Sequence, residues 1–173
     1  MKQGFGRGAV ALLALGMLSL LSACTLFGQH EKEASALELP AIGSQAHGAV
    51  SFVEMDDGVQ VSYNFVGLPP DTDHALQVHE RGDCNAGDGT SAAGVFSPAA
   101  NRLRAGVRQA GDLGNIHADD NGVAVGFLVT SDISLDGVRS VVGRAVALHR
   151  DASDPEFPQH DAGPALACGT IRR

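Results

Sequence analysis

Along residues 49–53 and 59–65, apolar and polar side chains alternate one by one, the period of a strand with one buried face. Between the two runs, Asp56-Asp57-Gly58 supplies a glycine-containing hairpin connection. Gly67-Leu68-Pro69-Pro70 ends the second run, because proline cannot donate to a ladder, and another strand is predicted over residues 75–80. Two more are predicted over residues 122–129 and 138–149, with Ser131-Asp132 between them, and strand character begins near Leu37. No segment of this region holds a 3.6-residue apolar period for more than about two turns. The pattern therefore predicts an all-β domain, a sandwich or Greek-key barrel. Residues 81–112 and 150–166 carry no such pattern, and loops of this length in a compact domain are functional or mobile.

Composition narrows the class. Of 173 residues, 44% are hydrophobic and 18% charged, a globular balance. Glycine reaches 22 residues while aromatics make up 5%, with no tryptophan, which suits a loop-rich β fold and leaves little for base stacking. Twelve basic against twenty acidic residues give a net charge of −8, which excludes nucleic acid as a partner.

The amino terminus reads as an address. Lys2 and Arg7 precede an apolar run over residues 9–21, short of the ~20 residues a spanning helix needs. The run ends Leu21-Ser22-Ala23-Cys24, which resembles the bacterial lipobox and implies lipid attachment at Cys24 after removal of residues 1–23. Loss of Lys2 and Arg7 takes the charge from −8 to −10. Thr25 after the lipidated cysteine points to the outer membrane, facing the periplasm. Residues 25–36 are polar and unpatterned, so residues 24–45 are expected to form a tether leading into the first strand, with the domain proper over 46–173. The cysteine count then closes. Cys84 and Cys168 remain, 84 residues apart, in an oxidising compartment where such a pair bridges.

Four stretches together resemble the copper/zinc superoxide dismutase family. They are Val78-His79-Glu80-Arg81-Gly82-Asp83-Cys84, Asp88-Gly89-Thr90-Ser91-Ala92-Ala93-Gly94, Gly111-Asp112-Leu113-Gly114-Asn115, and Gly143-Arg144 through His149 with Leu166-Ala167-Cys168-Gly169. The resemblance implies an eight-stranded Greek-key β-barrel, a Cys84–Cys168 disulfide pinning one loop, and a copper and a zinc site.

The metal positions depart from the family pattern. Where it has a His-x-His copper pair, this chain has Gln77-Val78-His79. The histidine that would bridge copper and zinc is Val95, and the last copper histidine is kept as His149. On the zinc side Asp112 is kept, Gln109 stands where a histidine is expected, and no histidine occurs between Pro98 and Gln109. That stretch holds Arg102, Arg104 and Arg108, which either neutralise Asp112 in place of a cation or remain solvated. The arginine that steers superoxide is replaced by Ala165.

These substitutions remove most of the nitrogen donors that a cycling copper ion needs. Copper held by His79 and His149 is the one cofactor expected, with linear Cu(I) suiting two imidazoles, and zinc is not expected. The remaining histidines (30, 47, 74, 117 and 160) read as surface or hydrogen-bonding groups. The leading reading is an envelope lipoprotein of this family with little or no dismutase activity, non-catalytic or copper-handling. The alternative is a copper-only dismutase with a reduced ligand set, and a partner-binding scaffold with no named partner is a third.

Overall fold

The computed structural model describes residues 32–98, 108–154, 156 and 161–173. The expected signal over 1–23, Cys24, the tether up to residue 31, Arg102, Arg104 and His160 lie outside the described residues.

Eight strands are formed: β1 (Glu33–Pro40), β2 (His47–Met55), β3 (Gly58–Val66), β4 (Asp73–Val78), β5 (Asp112–His117), β6 (Ala124–Thr130), β7 (Ala145–His149) and β8 (Ala165–Thr170). All pairings are antiparallel, in the order β5-β4-β7-β8-β1-β2-β3-β6. With β5 and β6 approaching each other at the ends of that order, the sheet forms a nearly closed barrel. The architecture is the all-β barrel that the alternation and the resemblance imply.

Alternation sets which side chains fill it. Val50 and Phe52 from β2, Val61 and Phe65 from β3, Leu76 from β4 and Leu148 from β7 are fully buried in one apolar core. The β2–β3 hairpin closes over Asp56-Asp57, with Met55 opposite Gly58. Gly58 has φ of 154°, and a Cβ there would lie 2.6 Å from the Thr130 carbonyl oxygen, so glycine is required.

Several boundaries differ from the sequence reading, β4 (Asp73–Val78) and β6 (Ala124–Thr130) by one or two residues. Residues 33–36, expected in the tether, form the first half of β1. Their inward positions are the small residues Ala34 and Ala36, which give a weak hydrophobic signal. The strand expected over 138–149 is confined to Ala145–His149, because a 3-10 turn at Gly137–Arg139 and a left-handed Gly143 precede it. β5 and β8 carry no alternation legible in the sequence. β8 is buried on both faces except at Leu166 and Thr170.

That double burial positions the site. Outside the barrel wall, Ala145, Ala147 and Ala165 present only methyl groups, so the loop after β4 packs directly on them through Ala92 and Cys84. The Cys84–Cys168 disulfide, with Cα atoms 5.8 Å apart, fixes that loop to β8. It overhangs the ends of β4 and β7.

Candidate metal centre

His79 follows β4 and His149 ends β7, which pairs with β4, so the barrel brings the two rings together from 70 residues apart. Both are buried, at 6% and 8% exposure. Their Nε2 atoms lie 2.9 Å apart, with ring centroids at 5.1 Å. Each Nδ1 faces a backbone carbonyl: His79 donates to Ala93 O at 2.7 Å and His149 to Gly163 O at 2.8 Å. Those two bonds fix the tautomers. With the proton on Nδ1 in both rings, each Nε2 presents a bare lone pair to the other. Burial pushes His79 down to about 4, with the Ala93 carbonyl opposing and the neighbouring ring adding to the effect. Burial also lowers His149. At neutral pH no proton sits between the nitrogens.

Among the described residues, no three His, Cys, Asp or Glu side chains converge. Gln77, Val95 and Gln109 line the same cleft, a cavity of about 430 Å³, with Asp88, Thr90 and Asp161 at its rim. Val95 pairs its backbone with His79 and lines the cleft with an alkyl side chain. Ala165 is buried against Gly89 and stands outside that lining.

The zinc-side position is organised by protein groups. Asp112, at the start of β5, accepts from the Gly114 backbone N–H at 3.1 Å and from Ser153 Oγ at 3.4 Å. Arg108 sits 3.8 Å from its other carboxylate oxygen and donates to the Asp112 carbonyl through both Nε, at 2.8 Å, and a terminal guanidinium nitrogen. Arg108 thus stands within ion-pair distance of Asp112 while remaining half exposed.

His74 is the group whose part was least legible. Fully buried on β4, its Nδ1 reaches the backbone carbonyls of His149 at 3.0 Å and Arg150 at 2.9 Å, while Nε2 meets Thr72 Oγ1 at 2.7 Å. It therefore holds the chain at His149 and positions that ring. Its place on the face opposite Gln77 was readable, but its partner 75 residues away was not. His117 bonds Asp73 at the surface and His47 is exposed.

The sequence of the barrel decides the family. A family model described as copper/zinc superoxide dismutase matches residues 46–171. The chain belongs to the copper/zinc superoxide dismutase family. It is 32% identical over 174 residues to "Superoxide dismutase [Cu-Zn]" of Paramecium bursaria Chlorella virus 1, covering 95% of this chain and 92% of that protein. It is 36% identical over 136 residues to the protein of the same name from Saccharomyces cerevisiae, covering 72% and 88%. A bacterial relative, "Superoxide dismutase [Cu-Zn] 2" of Aquifex aeolicus, is 32% identical over 166 residues, covering 91% and 95%.

Against the copper-and-zinc centre that the family name implies, the described residues fit in part. On the zinc side the carboxylate of Asp112 is already engaged, and no imidazole accompanies it among the described residues. On the copper side the paired Nε2 lone pairs fit one cation.

Proposed function

We propose that this chain is a lipid-anchored envelope protein of the superoxide dismutase family with little or no dismutase turnover, keeping a two-imidazole site for a single copper ion. The observation that carries the reading is the donor set: His79 and His149 face each other, while Gln77, Val95 and Gln109 stand at the other family ligand positions. Copper would supply one-electron chemistry if its two oxidation states were both stabilised. A neutral amide and an alkyl group do little to hold the oxidised state. The protein's own part is to hold two neutral Nε2 donors, through the Ala93 and Gly163 carbonyls and through His74 beneath His149. Asp88 and Asp161 line the cleft and no lysine or arginine does so among the described residues, which favours a cation over the superoxide anion. Zinc is not part of this reading, since Arg108 already meets Asp112.

The test is elemental analysis of protein purified without added metal, followed by copper titration. The expected result is no more than one copper per chain, no zinc, and loss of copper in His79→Ala and in His149→Ala. Two metal ions per chain, or copper retained by both variants, would contradict it. The relatives' names favour a second reading, a copper-only dismutase, which predicts the same stoichiometry together with turnover.

A further inference from the structure

β1 is held unequally by its two neighbours. Against β2 it pairs without a break from Glu33 opposite Val53 to Glu38 opposite Gly48. Against β8 the pairing is interrupted. Leu39 meets Cys168, Pro40 meets Ala167, and the next bridge joins Ser35 to Arg172. Both parts keep one register, so residues 36–38 face 169–171 with no bridge between them among the described residues. Glu38 lies in that gap. It is fully buried and neither carboxyl oxygen has a hydrogen-bond partner. Gly48 stands opposite it on β2, and a Cβ on Gly169 of β8 would come within 2.8 Å of its Oε1. A hollow of about 530 Å³ on the outside of β1 and β2 has Leu37, His47, Asn64 and Glu38 in its wall, which brings solvent close to the gap. The strand order makes the seam the join between β5-β4-β7-β8, which carry the metal cleft, and β2-β3-β6.

We propose that Glu38 is a proton-operated latch on this seam: with its proton the carboxyl packs as a neutral group and β1 closes on β8, and loss of the proton parts those two strands while β1 stays on β2. An unpaired carboxylate is strongly disfavoured inside a protein and is relieved by reaching water. The gap in the ladder gives it a way out, since no bridge at Glu38 has to break, and the hollow beside it admits the water. No other charge shares the space. Gly48 and Gly169 have no side chain, and Cys168 is held in the disulfide. His47 points outward, and Glu33 and Glu54 lie at the far end of β1 and β2. Of the strands beyond, β3 has Tyr63 and β7 has His149, and neither acts on the carboxyl, for which burial is the single influence. Because ionisation accompanies opening, the opening equilibrium rises by up to about tenfold per pH unit above the ordinary carboxyl value of 4.5, until the closed form also loses its proton.

The test is residue-resolved amide hydrogen exchange of the full chain, disulfide intact and in mild detergent, at pH 6 and pH 8, corrected for the intrinsic pH dependence of exchange. The amides of Ser35, Ala41 and Arg172 donate across the seam, to the carbonyls of Arg172, Leu166 and Ser35. Their protection is expected to fall at least about tenfold from pH 6 to pH 8, while amides bonded between β2 and β3 keep theirs. Glu38→Gln and Glu38→Met, neutral at both pH values, remove the fall, and either variant alone suffices if the other folds poorly. Equal protection at the two pH values, the same fall in the variants, or a fall shared by the β2–β3 amides would overturn the proposal.

Discussion

Glu38 occupies an inward position on β1 with Gly48 opposite it on β2, and a Cβ on Gly169 would come within 2.8 Å of its carboxyl oxygen. It is fully buried, and neither carboxyl oxygen has a hydrogen-bond partner. Burial holds the carboxyl well above its usual range, so the folded chain keeps a proton that the unfolded chain releases. Its contribution is therefore full below about pH 4.5 and is lost as the pH rises. Glu38→Met is expected to raise stability at pH 7 by about 1–3 kcal/mol in denaturant unfolding. No gain would mean that the carboxyl is satisfied. The histidine pair slopes the other way. With His79 lowered from 6.5 to about 4, the metal-free chain keeps its full stability above pH 6.5 and loses it as the pH falls toward 4, by about 3 kcal/mol. Melting temperatures of metal-free protein across that window check this, and the slope should flatten in His79→Gln. The family resemblance made His79 and His149 candidates from the sequence. Their tautomers were not legible, because the carbonyls of Ala93 and Gly163 that fix them come from loops.

At the scale of elements, the site depends on the loop held against β7 and β8. Alanines on the outer wall let it approach, and Cys84–Cys168 keeps it there. Replacing both cysteines by serine is expected to cost roughly 4–5 kcal/mol by the chain-entropy account of an 84-residue closure. It should also expose residues 85–95 to protease. Unchanged cleavage there would mean that alanine packing alone fixes the loop. Gln77→His combined with Val95→His returns two imidazoles to the cleft these elements enclose. Copper affinity is expected to rise, and no rise would show that the cleft no longer accepts a third donor. Strands with one wet face, β2 and β3, were legible by alternation. β8, covered on both sides, was not, and the alanines of β1 hid its start, since burial of a methyl group leaves little mark in a hydrophobic pattern.

For the whole molecule, the barrel and its disulfide are present, and on the proposed reading the donors that the family uses have been replaced. The family was readable because four motifs keep their order and spacing, whereas activity depends on single side chains within them. The proposed placement in the envelope rests on Cys24, and on that proposal Cys24→Ala moves the chain from the membrane fraction to the soluble periplasm. On the proposed reading, a two-imidazole site does not turn over superoxide. The most direct measurement is superoxide removal per bound copper by the chain loaded with copper and zinc, beside a homologue with four copper imidazoles. The expected rate is at least about 100-fold lower than the homologue's, and a rate close to the homologue's would contradict the account.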